Sequence, residues 1–469
     1  MAVLLTPALG PWFLAPGPSL IVAADAKSAP ATNEPSVRYL VLAGRGMTIA
    51  DESPPGDAQL EVGPETTDSE RLIRAAFDKH FERSKSEMYG RLTKDKDGNS
   101  DTYVLYDVQT HMQNAAIYAD ERGDTEILGK LLELCLIPFE PRHLSDSRWL
   151  NNTNGLVGVE VDLCIAQYFS LLTRVLSACE RHGVASGFSD ENVRIVTSHI
   201  DYWLAKPVNR TRVDDRHLFF VQSVLLFYDY MKRVGKPVGN LENWKKYVSD
   251  YMRESITPKW EVARHLHEGR EYDCWMLDRT GWVHHPDYQY AGYGSEITKS
   301  SSDTDPNSMF RADGTAKQPK KTVPKAATDI SHARRFNWFF EAVKRFGKPF
   351  DVSMSDESLA GWANNLAFRV SRGTLNDPHF TVFSDGVDGW YRVGYRGRKH
   401  FGYTLGDMDI AFVASSYGIF GVYNFRVYDW MKAWARRHQT ALGLGRGGSE
   451  LDYHTSLAID IRKPLKGVD

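Results

Sequence analysis

One local pattern recurs along this chain and limits what it can fold into. The stretches "ACERHGVASGFSDENV", "MKRVGKPVGNLENW" and "VKRFGKPFDVSMSDESL" each combine a basic last turn, a glycine, a short connector and an acidic helix start. Glycine is favoured just after a helix, and Ser, Asn or Asp just before one. The pattern predicts helical hairpins, which must stack to bury their apolar faces, either as an open solenoid or as a closed ring.

Helical spacing of apolar residues predicts an all-α body from about residue 69 onward. The predicted helices are 69–84, 106–123, 124–136, 160–183, 190–205, 216–235, 241–255, 329–347, 355–373, 407–420 and 424–442. We favour a closed (α/α)n toroid of about six hairpin pairs over a solenoid. The connectors 256–327 and 373–405 are long and rich in functional side chains, as expected of loops that build a site over the mouth of a ring. Minor β segments are predicted near the termini, at 37–50 and 453–465, from their β-branched content.

The first 36 residues are apolar, then alanine-rich, then polar with prolines, and they resemble a cleaved export signal followed by a flexible segment. Residues 37–469 are predicted to form a single catalytic domain in a secreted or periplasmic protein. No later stretch is long and apolar enough to span a bilayer. The segment 297–327 is polar and contains prolines, which predicts a surface loop.

Composition narrows the classes of partner and cofactor. The net charge of -3 does not favour a nucleic-acid binder, and aromatic residues make up 12% of the chain, which suits a site that stacks sugar rings. The four cysteines have neither CxxC nor zinc spacing, so a disulfide framework is not expected, although a single bridge is compatible with the sequence. We assign no metal and no cofactor.

The stretch "TDISHARRFNW", residues 328–338, gathers cations at a predicted helix start, where the helix dipole is already positive. His332, Arg334 and Arg335 therefore need an anion opposite them. That anion is either a protein carboxylate, with Asp329 among the candidates, or a bound substrate.

Four other segments combine polar, charged and aromatic residues in patterns that suit a binding site. They are "RWLNNTNG" (148–155), "NRTRVDDRHLFF" (209–220), residues 270–296 and residues 383–407. The last two crowd aromatic rings among acids and bases without helical or strand periodicity, which is hard to explain by core packing alone. The candidate substrate-binding residues are Trp149, Arg216, His217, Trp275, Trp282, Tyr293, Trp390, Tyr391, Arg392, Arg396 and His400.

The ring of helical hairpins, the aromatic loops and the export-like start together resemble the (α/α)-toroid carbohydrate-active enzymes, a group of polysaccharide lyase and glycoside hydrolase families. The resemblance covers roughly residues 69–442, and "DISHARR" with "NNTNG" is similar to the helix-start His and Asn motifs of lyase toroids. It implies an enzyme that degrades an anionic polysaccharide. Because fold analogy alone does not fix chemistry, the residues must decide the reaction.

A lyase that cleaves a uronic-acid chain must neutralise the carboxylate, remove the neighbouring proton and protonate the leaving oxygen. The candidate catalytic residues are His332, Tyr288, Tyr290, Asn151, Asn152 and Arg335. In this scheme His332 or a tyrosine of the 288–293 loop is the base, and Asn151, Asn152, Arg335 and free backbone N–H groups hold the carboxylate.

Two alternatives remain at this stage. A glycoside hydrolase would need two carboxylates, one kept protonated by its surroundings, and the candidates are Asp215, Asp273, Asp287 and Asp385. A non-catalytic carbohydrate-binding protein would show saturable binding without a product.

Overall fold

The computed structural model describes residues 64–153, 155–207, 213–277, 292–294, 298–315, 317, 327–391, 405–438 and 449–468. This part of the chain is mostly α-helical, which confirms the predicted fold class in its coarse form. The α-helices are α1 (Pro64–Arg91), α2 (Tyr103–Arg122), α3 (Thr125–Leu136), α4 (Asp162–Arg181), α5 (Asp190–Leu204), α6 (Asp215–Arg233), α7 (Leu241–Tyr251), α8 (Ile330–Phe346), α9 (Asp356–Asn365), α10 (Leu405–Val413), α11 (Arg426–Arg437) and α12 (Ser449–Ala458).

Local sequence explains where many of these helices begin and end. The side chains of Asp124, Ser189 and Ser355 each accept a hydrogen bond from a backbone N–H in the first turn of α3, α5 and α9. Such caps satisfy N–H groups that have no partner inside the helix. Helix α2 ends at Gly123, whose φ of 66° is the left-handed conformation that glycine adopts without strain.

Packing joins the helices into a continuous series. Helix α2 contacts α4, α4 contacts α6, and α6 contacts α8; α8 contacts the 3₁₀-helix Ser416–Val422, which contacts α12, and α12 contacts α2. Helices α1, α3, α5 and α7 pack against members of this series. One hydrophobic core runs through the series and includes the buried indoles of Trp203, Trp244, Trp338 and Trp362.

The described strands form two-stranded sheets. They are β1 (Leu150–Asn151), β2 (Val159–Glu160), β3 (Trp260–His267), β4 (Arg270–Leu277), β5 (Gly292–Tyr293), β6 (Thr298–Ser301), β7 (Ser308–Phe310), β8 (Ser371–Thr374), β9 (Asp377–Phe380) and β10 (Gly389–Trp390). The pairs β1–β2, β3–β4, β8–β9 and β5–β10 are antiparallel, whereas β6–β7 is parallel. Every pair except β5–β10 joins strands that follow each other in sequence.

Three predictions of local structure were wrong. The tail 453–465 forms no strand, because its first residues continue α12, where the Thr455 hydroxyl bonds the Leu451 carbonyl within the helix. Helix α9 does not reach residue 373, because a π-helical turn, Leu366–Val370, leads directly into β8. Part of the predicted surface loop forms β6 and β7, with Met309 and Phe310 buried. The predicted strand at 37–50 lies outside the described residues.

A buried ion-pair network lies at the C-terminal ends of α2, α4, α6 and α8. Arg174 of α4 lies between Asp120 of α2, at 3.5 Å, and Glu341 of α8, and the accessible surface of all three side chains is at most 1%. Arg181 pairs with Asp120 at 2.7 Å and with Asp229 of α6 at 2.9 Å. Charges of both signs alternate through the network, so each buried charge has a partner.

The network also connects the segment after α12 to α2. Arg345 of α8 pairs with Glu121 of α2 at 2.8 Å and with Glu341 at 3.3 Å, and it donates a hydrogen bond to the Asp460 carbonyl. The Asp460 backbone N–H in turn donates to the Glu121 carboxylate at 3.0 Å. The segment after α12 is therefore bonded to α2.

Two further findings concern membrane spans and cysteines. Among the described helices, none has the length and apolar character required to cross a membrane. The four cysteines, Cys135, Cys164, Cys179 and Cys274, all lie within the described residues and are buried and free, so the chain has no disulfide bridge among them.

Candidate functional site

The N-terminal ends of α2, α6 and α8 meet around Arg335. The Arg335 guanidinium, in the second turn of α8, forms an ion pair with Asp215, the first residue of α6, and donates a hydrogen bond of 2.7 Å to the Tyr106 hydroxyl on α2. Its side chain is only 2% exposed. Three helix starts, each the positive end of a helix dipole, therefore converge on one region that also contains buried acidic side chains.

The opening stretch of α8 is built around Asp329. Its side chain caps the helix by accepting from the backbone N–H groups of Ser331 and His332, and its second oxygen lies 2.7 Å from His332 Nδ1. Because a carboxylate accepts, Nδ1 donates, and the tautomer places the lone pair on Nε2. This aspartate–histidine pair fixes the orientation of the imidazole ring.

The same contacts overturn one sequence prediction. The N–H of Ile330 donates to the Val382 carbonyl at 2.9 Å, and the next two N–H groups are satisfied by Asp329. The first turn of α8 therefore has no spare donors for a substrate carboxylate. The anion opposite Arg335 is likewise the protein's own Asp215, so the carboxylate clamp predicted from Arg335 and free backbone groups was wrong.

Segments 270–296 and 383–407, which the sequence singled out, come together beside His332. The backbone of Tyr293 pairs with Gly389, and Gly292 pairs with Trp390. The next residue, Tyr391, is fully buried, and its ring packs edge-on against the His332 ring at 5.8 Å. With no exposed ring face, Tyr391 positions the histidine instead of stacking a sugar.

Trp149, Asn151 and Asn152 belong to the framework at this end of the helices. The Trp149 indole is buried and donates to the Pro138 carbonyl at 3.0 Å. The Asn151 amide donates to the Thr153 carbonyl at 2.6 Å and accepts from Thr102 at 3.0 Å. These groups hold the turn before β2, and none of the described contacts joins either asparagine to Arg335.

At the start of α6, Arg216 is exposed whereas His217 is buried. Asp214 caps the helix and pairs with Arg216 at 3.2 Å; burial opposes ionisation of this carboxyl, but Arg216 prevails and lowers its pKa to about 2. The Arg216 side chain remains 45% exposed. His217 is buried, bonded through Nδ1 to Tyr247 and stacked on Tyr251, so it is a core residue.

The hairpin β3–β4 is fixed to α9 by Trp275. A Cβ atom placed on Gly361 of α9 would lie 2.2 Å from Trp275 Cδ1, so only glycine allows this approach.

Asp273, on the same strand, is 40% exposed and lies 3.9 Å from Arg264. Asp385 is buried in the turn before β10, where it accepts from the Val387 N–H. These two predicted carboxylates lie on different elements, and no described contact joins them.

Several predicted site residues lie outside the described residues. They are Tyr288, Tyr290, Trp282, Asp287, Arg392, Arg396 and His400, together with the side chains of Tyr293 and Trp390. Their assignments stay predictions. The backbone pairing of Gly292–Tyr293 with Gly389–Trp390 shows that the segments carrying them begin or end next to Tyr391.

Asp107 was missed from the sequence. It lies in the second turn of α2, next to Tyr106, and pairs with Arg91 at 2.7 Å. Burial raises its pKa to about 7, although the Arg91 charge opposes the rise. The sequence signal was only an aspartate on a predicted helix, and nothing in the spacing distinguished it from a solvent-exposed one.

No protein-family model, no curated protein and no solved structure matches this chain. Within the described part, no three His, Cys, Asp or Glu side chains are grouped to hold a metal ion.

Proposed function

We propose that the helices form a closed (α/α) toroid with its active site at the N-terminal ends of the inner helices. The support is the series of contacts from α2 through α4, α6, α8, the 3₁₀-helix and α12 back to α2. Asn151 accepts from Thr102 just before α2, and the Val382 carbonyl accepts from the Ile330 N–H of α8. The segments that contain Asn151 and Val382 therefore lie at the helix ends that meet around Arg335. In such an arrangement one end carries the site and the other carries the buried ion-pair network.

The enzyme we propose is a secreted or periplasmic lyase that cleaves a uronic-acid-containing polysaccharide by β-elimination. In this reaction a base takes the proton from the carbon beside the carboxylate, and the electron pair forms a carbon–carbon double bond. The glycosidic carbon–oxygen bond breaks, and an acid gives a proton to the leaving oxygen. No oxidant or metal is needed to balance the reaction.

The observation that carries this proposal is the pair formed by His332 and Asp329 beside Tyr391. In the proposed mechanism His332 Nε2 accepts the substrate proton, and Asp329 stabilises the resulting imidazolium. Exposed Arg216 neutralises the substrate carboxylate together with Arg392 or Arg396 of the neighbouring loop. Tyr288 or Tyr290 supplies the proton for the leaving oxygen. Arg335 acts indirectly, by holding the starts of α2, α6 and α8 together.

Ultraviolet absorbance tests the reaction type, because β-elimination creates a conjugated unsaturated uronate. The full chain is mixed with a panel of anionic polysaccharides, and the absorbance is followed over time. We expect a rise with at least one polymer and its loss in His332→Gln, since general-base catalysis contributes roughly 10²- to 10⁴-fold. His454→Gln, a half-buried histidine of α12, is the matched control and should retain activity. Unchanged turnover in His332→Gln would remove this residue from the mechanism.

A glycoside hydrolase is the second candidate, and Asp107 is the observation that favours it. Burial raises the pKa of Asp107 to about 7, and a raised carboxyl pKa is what a general acid requires. New reducing ends without an absorbance rise, abolished in Asp107→Asn, would establish this alternative over the lyase. Saturable binding with neither product would indicate a carbohydrate-binding protein instead.

A further inference from the structure

A pocket lies between the last turn of α1 and the segment that follows α3. Its lining residues are Tyr89, Gly90, Thr93, Lys94, Arg142 and His143, and its volume is about 590 Å³. That volume falls within the range of about 300–1,000 Å³ for small-molecule sites. The residues described above for the proposed reaction do not line it.

The pocket presents two cations. The Arg142 guanidinium lies 4.9 Å from the centre of the Tyr89 ring and is held by Glu140 at 2.6 Å, while its side chain remains 62% exposed. Tyr89 also donates a hydrogen bond to Glu140, at 3.1 Å. Lys94 donates one hydrogen bond to the Leu144 carbonyl, which fixes its ammonium group and leaves two further donors. Two positive charges against one carboxylate favour an anionic ligand.

The pocket also contains acceptors. The Thr93 hydroxyl donates to the Tyr89 carbonyl at 2.8 Å, so its lone pairs remain to accept from a ligand. His143 is 3% exposed, and its Nδ1 lies 3.0 Å from the Leu92 carbonyl, so Nδ1 donates and Nε2 carries the lone pair. Among the described residues, His143 Nε2 has no hydrogen-bond partner, and the Glu140 carboxylate is 3.9 Å away, beyond hydrogen-bond distance. An inorganic anion satisfies the cations alone, whereas a ligand with hydroxyl groups also satisfies these acceptors.

We propose that this pocket binds a sugar acid, with the carboxylate on Arg142 and Lys94 and ring hydroxyls donating to Thr93 and His143. Gly90 leaves room for the ring, since a Cβ atom at this position would meet nothing within 4 Å. The proposal concerns binding and stands on the lining of the pocket. Its use as an accessory site for a polymer chain rests on the proposed function.

Ligand-observed NMR titration of the full chain tests the proposal, with glucuronate, glucose and sulfate compared at constant ionic strength. We expect glucuronate to bind roughly tenfold more tightly than glucose or sulfate, because only glucuronate offers both a charge and hydroxyl donors. Arg142→Ala should weaken glucuronate binding roughly tenfold. Gly90→Leu should block binding while keeping every charge, and leucine suits this helical position better than glycine.

Arg148→Ala is the matched control, because Arg148 is similarly exposed, at 57%, and pairs with Glu160 outside the pocket. Glucuronate affinity that is unchanged in both Arg142→Ala and Gly90→Leu would overturn the site. Sulfate bound as tightly as glucuronate, with the same dependence on Arg142, would overturn the ligand class. Either result leaves the absorbance assay unaffected, so failure of this proposal and failure of the proposed reaction are distinguishable.

Discussion

The buried ion-pair network at the C-terminal ends of α2, α4, α6 and α8 offers a sharp test of what stabilises this fold. The perturbation is Glu341→Gln, which keeps the shape of the side chain and removes its charge. Glu341 is fully buried and forms ion pairs with two arginines, Arg174 and Arg345, the second at 3.3 Å. After the substitution, Arg174 keeps only Asp120, at 3.5 Å, while Arg345 keeps Glu121, at 2.8 Å.

The size of the effect follows from these remaining partners. Removing one member of a buried ion pair typically costs about 3–5 kcal/mol, because the other charge stays buried without compensation. Here each arginine retains one carboxylate, and glutamine can still accept a hydrogen bond. We therefore expect the lower end, about 3 kcal/mol. That loss is a large part of a typical unfolding free energy of about 5–15 kcal/mol.

Urea unfolding followed by circular dichroism measures this change as a lower midpoint at an unchanged slope. Glu242→Gln is the matched control, because the Glu242 side chain is 89% exposed and lies 3.9 Å from Lys245. The control should change stability by no more than about 0.5 kcal/mol. If the two variants unfold at the same urea concentration, the network does not stabilise the fold in the way its geometry indicates.

Four further predictions follow from the site, the titrating groups and the hairpin. Asp329→Asn should keep the α8 cap but lower the absorbance-detected turnover at least roughly tenfold, since asparagine cannot stabilise an imidazolium; unchanged turnover would contradict the pair's role. Arg216 lowers the pKa of Asp214 to about 2 from an ordinary value of 3.8. The stability that this carboxylate contributes is therefore present above about pH 4 and is lost as the pH falls through about 2. Over that range the urea midpoint of Asp214→Asn should change less with pH than the midpoint of the unsubstituted chain. Burial lowers the pKa of His111 to about 3, so between about pH 6.5 and 3 the unfolded chain binds a proton that the folded chain does not. The free energy of unfolding should therefore fall as the pH is lowered through this range. If His111→Gln shows the same dependence of unfolding free energy on pH, this prediction is refuted. Gly361→Ala should destabilise the chain by about 1–3 kcal/mol through its clash with Trp275, measured as a lower thermal midpoint.

Much of the helical framework could be predicted from sequence, because local rules determine it. Apolar spacing located α1 to α11 in outline, and caps such as Asp124 and Ser189 marked where helices begin. The hairpin β3–β4 and helix α12 were missed because tertiary contacts override weak local preferences. Trp260 and Trp275 are half-buried and pack against α8 and α9, and α12 is covered by α1 and α2, which no local pattern reveals.

The contacts of the candidate site could not be predicted from the sequence. The sequence singled out His332 and Arg335 correctly as residues that need an anion, but both anions proved to be aspartates of the protein. Asp215, the partner of Arg335, lies 120 positions earlier, so the pairing depends on how α6 and α8 pack. Asp107 illustrates the same limit, because its raised pKa comes from burial, a property of the folded chain.

The bonds between Asp460 and Glu121 join residues 339 positions apart, and this separation has a consequence for how the protein is made. The partners that complete α2, namely α12 and the segment after it, leave the ribosome more than 300 residues after α2. Until then the apolar face of α2 that contacts α12 has no cover, and folding dominated by such distant contacts is slow. A nascent or C-terminally truncated chain is consequently the form of this protein most prone to aggregate and most dependent on chaperones.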